Sequence, residues 1–225
     1  MSKHIYVINP NSLIAVTAAI DQALAPLRFA DGPQIHCVTL ADGPAGIQTQ
    51  RDVDAVVTPL CTQIARSERD AEERGGTAAA FVIACFSDPG LYSARESTDR
   101  PVLGIAECGV LTAMTLGQKF GVVSILQASI GRHWRYFASM GVTGRLAGDI
   151  AIGLSVAELA DQQRTFARLC AVGEELRDRQ GADVLVLGCA GMAAYRAALA
   201  EHLGMPVVDP TQAAVAMAMG QAALR

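Results

Sequence analysis

The chain has 225 residues, of which 51% are hydrophobic and 18% charged, with a formal net charge of −4. That length and apolar content suit one large domain or two small ones with a sizeable core, not a disordered chain. Mild acidity without a basic stripe excludes a nucleic-acid footprint, and no apolar stretch reaches the roughly 18 uninterrupted residues of a bilayer-spanning helix.

In chain order, residues 4–8 read as a short strand that stops at Asn9-Pro10-Asn11-Ser12, a turn followed by a helix cap. A helix is expected over 13–27, a strand over 34–40 and a long helix over 52–74, closed by Gly75-Gly76. Residues 78–84 are a continuous apolar run, the mark of a parallel strand buried on both faces. A short helix follows Asp88-Pro89-Gly90. A strand is then expected over 102–105, a helix over 109–116, a strand over 120–125 and a helix over 132–140. Residues 156–180 read as a long helix with Leu159, Phe166, Leu169, Gly173 and Leu176 on one face. A buried strand at 184–187, a helix over 192–203, a short strand at 207–208 and a helix over 211–224 complete the chain. This alternation implies an α/β fold with mainly parallel sheets flanked by helices.

A weak internal repeat divides the chain. Phe81-Val82-Ile83-Ala84-Cys85 resembles Leu185-Val186-Leu187-Gly188-Cys189, and residues 5–12 resemble 120–129. Two pseudo-symmetric lobes are expected, one of residues 1–100 with 207–225 and one of residues 101–206. The two cysteines lie about half the chain apart, each at the carboxyl end of a buried strand. Open parallel sheets place ligands at such ends, so a cleft between the lobes would receive both thiols.

Racemising a carbon centre without a redox cofactor needs a base on one face and an acid on the other, and thiols titrate close enough to neutrality for both roles. Cys189 precedes Ala190-Gly191-Met192, where a helix is expected, and Cys85 precedes a cap and turn. Free backbone N–H groups there would favour the thiolate and could stabilise an enolate oxygen. A single cysteine after an apolar run is ordinarily core; the paired setting is what points to chemistry. Cys37 and Cys170 read as structural, Cys61 lacks the setting, and Cys108 follows Glu107 at a strand end. No C-x-x-C pair is present, so no disulfide framework is expected.

At these residues the sequence resembles the aspartate/glutamate racemase superfamily and, within it, the hydantoin racemase family, which includes allantoin racemases. The resemblance spans nearly the whole chain. It runs through Ile8-Asn9-Pro10-Asn11-Ser12, Gly43-Pro44-Ala45, Ala84-Cys85-Phe86-Ser87-Asp88-Pro89-Gly90, residues 101–107 and Gly121-Val122-Val123-Ser124. It closes with Leu187-Gly188-Cys189-Ala190-Gly191-Met192 and Pro206-Val207-Val208-Asp209. It implies a cofactor-independent, two-cysteine mechanism, a homo-oligomer and Cys85 and Cys189 as the catalytic pair. Asn9, Pro10, Gly43, Phe86, Ser87, Ser124, Gly188, Ala190 and Gly191 would line the pocket.

Amino-acid racemases of the superfamily typically carry Cys-Asn-Thr and Cys-Thr-His or Cys-Thr-Glu. Here the neighbours are Phe86 and Ala190, which suit a flat, neutral ring such as a hydantoin better than a zwitterion. The chain departs from the family pattern at Gly46-Ile47-Gln48, where Ile-Glu is usual, and at Ala106-Glu107-Cys108, where Gly-Glu-Ala is frequent.

No histidine among His4, His36, His133 and His202 sits at metal-ligand spacing, so no metal is expected. No Gly-rich stretch forms a nucleotide-binding fingerprint. The Arg132–Arg135 segment reads as an exposed helix face, with a pocket lid or subunit contact as the alternative. Asp88 and Asp209 read as helix caps, and Glu107 as an ion-pair partner or a group behind the pocket. The opening residues lack a signal-peptide pattern, so a cytoplasmic location is expected. The reading is a hydantoin racemase acting on a small molecule, with no nucleic acid or membrane partner. The alternatives are an aspartate/glutamate racemase or maleate-type isomerase on the same scaffold, and a two-lobed binding protein without catalysis. Arylmalonate decarboxylases of the superfamily keep one cysteine, which argues against that chemistry here.

Overall fold

Strands and helices alternate throughout a computed structural model that describes residues 2–155 and 157–224. Val156, where the long helix of 156–180 is expected to start, lies outside the described residues. The first half gives β1 (Ser2–Asn9), α1 (Ile14–Ala23), β2 (Gln34–Thr39), α2 (Gln50–Ala55), α3 (Val57–Glu73), β3 (Gly76–Ile83), α4 (Leu91–Ser97), β4 (Val102–Gly104) and α5 (Ile105–Leu116). The second gives β5 (Phe120–Ser124), α6 (Gln127–Ser139), β6 (Leu146–Ala151), α7 (Gln162–Asp178), β7 (Val184–Leu187), α8 (Arg196–Leu203), β8 (Val207–Val208) and α9 (Pro210–Ala223).

The strands form two four-stranded sheets with every pairing parallel, ordered β2-β1-β3-β4 and β6-β5-β7-β8. Each belongs to its own compact unit. The chain leaves the first unit after Cys108 and returns to it at Thr211. In the first unit Leu60, Ile64 and Ala71 on one stripe of α3 pack with Tyr6, Ile8, Phe81 and Ile83. In the second, Leu169, Val172 and Leu176 of α7 pack with Val123, Leu185 and Leu187. Each buried Leu, Ile, Val or Phe side chain among these contributes about 2 kcal/mol.

Three hydrogen bonds repeat between the units and align them residue by residue. Ala84 N–H donates to Ile8 O at 2.8 Å, and Gly188 N–H to Val123 O at 2.8 Å. Leu40 N–H donates to Asn9 O at 2.9 Å, and Ile152 N–H to Ser124 O at 2.8 Å. Phe81 N–H donates to Pro101 O at 2.8 Å, and Leu185 N–H to Pro206 O at 3.0 Å. Cys85 therefore corresponds to Cys189, Asn9 to Ser124 and Gly104 to Asp209.

That last pair of bonds also corrects the expected division at 100/101 and 206/207. β4 pairs with β3 and β8 with β7, because each short fourth strand hydrogen-bonds the strand that ends in a cysteine. The helix expected over 52–74 is two helices parted at Val56. Pro59 cannot donate to the carbonyl four residues back, and its ring crowds that carbonyl. Pro26 likewise ends the first helix at Ala23, leaving a 3₁₀ turn over Ala25–Leu27. α7 starts only after Asp161, whose carboxylate accepts from Arg164 N–H at 3.1 Å. The edge strand β6 is new. Its Gly148 and Asp149 give it weak strand propensity, and pairing with β5 holds it.

Candidate functional site

In the order β2-β1-β3-β4 the chain turns one way after β1 and the other way after β3. The carboxyl ends of these two strands form a topological switch point, where open sheets bind ligands. β5 and β7 repeat the arrangement in the second unit.

The first unit brings together Asn9, Pro10, Gly43, Cys85, Phe86 and Ser87 from three loops at this end. Asn9 is fully buried and its amide is used internally. Its Nδ2 donates to Asn11 Oδ1 and Thr17 Oγ1, both at 3.0 Å, and its Oδ1 accepts from Asn11 N–H. Asn9 thus shapes the loop after β1 and presents no free polar group. A Cβ on Gly43 would lie 2.3 Å from Pro10 O, so only glycine lets the loops after β1 and β2 approach this closely. Cys85 and Ser87 are half-buried, and Phe86 is buried.

Asp88 closes this turn. Its N–H donates to Cys85 O at 2.9 Å, and its backbone adopts φ 41°, uncommon outside glycine. Its carboxylate caps a helix, though α5 rather than the helix that follows it in sequence. Oδ1 accepts from Ala106 N–H at 2.9 Å and Oδ2 from Glu107 N–H at 2.8 Å. This cap lets α5 begin at Ile105, four residues before the expected start. Glu107 itself pairs with Arg95 at 2.5 Å.

In the second unit Ser124, Gly188, Cys189, Ala190 and Gly191 gather at the ends of β5 and β7. Gly188 passes so close to β5 that a Cβ would lie 2.8 Å from Val123 O. Cys189 opens a 3₁₀ helix over Ala190–Tyr195, and its Sγ accepts from Gly191 N–H at 3.4 Å. That N–H alone favours the thiolate, as the sequence leads one to expect, but burial is the larger effect and the Asp209 charge adds to it. The Cys189 thiol is pushed up to about 11, so it holds its proton at neutral pH.

The sequence reading misses one group altogether. Asp149 of β6, its side chain wholly buried, accepts from Ser124 Oγ at 2.5 Å and pairs with His133 Nδ1 at 2.8 Å. His133 is 3% exposed, so the Arg132–Arg135 segment is not simply a solvated face, although Trp134 is exposed. The missing clue is β6: the repeat calls for a counterpart to β2, and that strand carries Asp149.

Three of the other cysteines are held as thiols. Burial pushes Cys37 of β2 and Cys108 of α5 up to about 12 each, and Cys170 of α7 is raised for the same reason. Cys61 is half-buried on α3. Among the described residues no three His, Cys, Asp or Glu side chains gather as metal ligands, and no helix is long and apolar enough to cross a membrane.

Each of the two repeated parallel α/β units carries a cysteine after its second core strand, and comparison with known proteins gives the family. Residues 5–218 match the Asp/Glu/Hydantoin racemase family. The chain is 35% identical to a hydantoin racemase of Paenarthrobacter aurescens, over 98% of this chain and 91% of that protein. Its structure is similar to an allantoin racemase from Klebsiella pneumoniae, with a TM-score of 0.87 and 32% identity over 100% of this chain and 89% of that one. An allantoin racemase from Pseudomonas fluorescens shares the fold with a TM-score of 0.91 at 24% identity, over 98% and 91% of the two chains. The chain belongs to the Asp/Glu/Hydantoin racemase family.

Proposed function

We propose that this chain racemises 5-substituted hydantoins, allantoin among them, by passing one proton between substrate and the pair Cys85 and Cys189. The observation that carries the reading is the repetition. Each unit ends its second core strand in a partly exposed cysteine, at corresponding places in the same strand order, in a chain of this family.

The C5–H of a hydantoin is acidified by the neighbouring carbonyl. One cysteine, as thiolate, takes that proton, and the electron pair moves into the enolate oxygen. The other, as thiol, returns a proton to the opposite face as the enolate collapses. The thiols exchange roles and the step balances with no oxidant or reductant. A general base or acid of this kind supplies about 10²–10⁴ in rate. Phe86 and Ala190, which follow the two cysteines, bring no charge to the site, which favours a neutral ring over an amino acid or a dianion. The protein acts as a homo-oligomer in the cytoplasm on this reading, and light scattering and cell fractionation test those two points.

The test is proton NMR of the protein with D- and L-5-substituted hydantoins, allantoin included, in D₂O under reducing conditions. Loss of the C5–H signal together with decay of optical rotation is expected. Unchanged hydantoins would sink the substrate assignment and direct the assay to aspartate, glutamate and maleate.

A further inference from the structure

Both repeats brace the end of their first core strand from the same two neighbours. In the first unit Asn9 Nδ2 of β1 donates to Thr17 Oγ1 of α1 at 3.0 Å, and that hydroxyl meets Thr39 Oγ1 of β2 at 2.6 Å. In the second unit Ser124 ends β5, His133 lies on α6 and Asp149 on β6. Ser124 Oγ donates to Asp149 Oδ1 at 2.5 Å. His133 Nδ1 meets Asp149 Oδ2 at 2.8 Å and lies 3.2 Å from Ser124 Oγ. All three side chains are buried. The residues differ between the units, but the following helix and the edge strand supply the partners in both.

A hydroxyl has one proton, and Ser124 gives it to Asp149, so the three residues are not a nucleophile activated by histidine. A carboxylate only accepts, so His133 Nδ1 donates to Asp149. Apolar side chains of similar volume often stabilise such a buried site equally well. The recurrence of the brace therefore points to placement.

What the second brace holds is the seat of Cys189. Gly188 N–H donates to Val123 O at 2.8 Å, and a Cβ on Gly188 would lie 3.2 Å from Ser124 Cα. The turn that carries Cys189 thus rests on the residue that the brace fixes. Three residues past Asp149, Ile152 N–H donates to Ser124 O at 2.8 Å. Ile152 and Leu154 belong to the apolar cluster against which Cys189 packs.

We propose that His133 and Asp149 are positioning residues: they lock the Ser124 end of β5 and so hold the Cys189 thiol in place. The consequence for turnover rests on the two-cysteine racemase reading. There the Cys85 thiolate takes the C5 proton of one enantiomer, the electron pair enters the enolate oxygen, and the Cys189 thiol returns a proton to the opposite face. A displaced Cys189 slows the second transfer and spares the first. Cys85 then reprotonates the enolate on its own face, and the substrate exchanges with solvent without inverting.

His133→Asn and His133→Phe separate the hydrogen bond from the ring. Asparagine can place an N–H where Nδ1 stands, and phenylalanine keeps a ring without a donor. Iodoacetamide alkylation of Cys189 and Cys85 in the intact protein, read together by peptide mass spectrometry, follows local opening at each thiol. His133→Phe is expected to raise the Cys189-to-Cys85 rate ratio about fivefold, the weight of one hydrogen bond in an opening equilibrium. His133→Asn should leave it within about twofold of the parent. Should His133→Phe fail to fold, Ser124→Ala carries the test with the same rise of about fivefold, and Ser124→Thr, which keeps the hydroxyl, is its control. An unchanged ratio in a folded variant without the donor overturns the proposal. An equal rise in His133→Asn also overturns it, since that reports the packing of the ring instead of its hydrogen bond. The ratio needs no turnover, so inactivity of the parent on hydantoins counts against the racemase reading alone. In an active enzyme, C5 deuterium uptake relative to inversion should rise about tenfold in His133→Phe for the enantiomer that meets Cys85. Exchange and inversion falling in equal measure, as loss of folded protein would give, contradicts the proposal.

Discussion

Gly104→Ala tests how the Cys85 turn is fastened. The new methyl carbon would lie 2.2 Å from Asp88 Cγ and Oδ2 and 2.6 Å from Oδ1. The carboxylate cannot slide aside at no cost, because it is 6% exposed and bonded to two N–H groups of α5. It must leave the cap. A lost aspartate cap costs about 1 kcal/mol, and two buried N–H groups left without a partner add roughly 1–3 kcal/mol. The expected destabilisation is about 3 kcal/mol, measured by urea unfolding with circular dichroism. Asp88→Ala should cost a similar amount by the same loss. The double variant is the sharper test. With the carboxylate gone the methyl group has room, so the pair should cost about what one change costs, a coupling of about 2–3 kcal/mol. The second unit supports this compensation, since it places Asp209 on the strand and Met192 in the loop. Additivity within about 0.5 kcal/mol would refute the steric argument.

Further outcomes follow from the same structure. Asp149→Ala leaves Ser124 and His133 buried without their shared acceptor and should cost about 3 kcal/mol in urea unfolding; a loss below about 0.5 kcal/mol would contradict the buried network. Cys37, Cys108 and Cys189 are raised from an ordinary value of 9.0 to about 12, 12 and 11, so the folded chain keeps protons that the unfolded chain releases. Stability is then full below about pH 9 and declines as pH rises through the folded values. Cys108→Ala should make the alkaline decline of the urea midpoint shallower, and an unchanged slope would contradict this. Gly43→Ala pushes a methyl group into Pro10 O and should lower racemisation together with stability, because it displaces the loop after β1; unaltered urea midpoint and activity would show that the loops adjust freely.

Much of this architecture is legible in the sequence. Apolar runs mark β3 and β7, since strands buried on both faces need no alternation, and the matched contexts of Cys85 and Cys189 place both at strand ends. Gly43 and Gly188 stand out as glycines, but the carbonyls that exclude a side chain appear only in the fold. β6 is hidden because Gly148 and Asp149 weaken its pattern and pairing with β5 forms it. The burial of His133 is hidden with it, since its partner lies on that strand. Asp88 reads as a cap, yet its helix lies on the far side of β4. The thiolate bias expected for Cys189 fails because an N–H at 3.4 Å is outweighed by desolvation, which depends on packing from elements distant in sequence.

The proposed mechanism gives Cys85 and Cys189 one face each of one carbon. It is tested most directly by following C5 deuterium uptake and optical rotation together for Cys85→Ser and Cys189→Ser in D₂O, each with both enantiomers of a hydantoin the parent racemises. Neither variant is expected to racemise, while one surviving thiolate still exchanges the proton of a single enantiomer without inversion. Full racemisation by either single variant would contradict it.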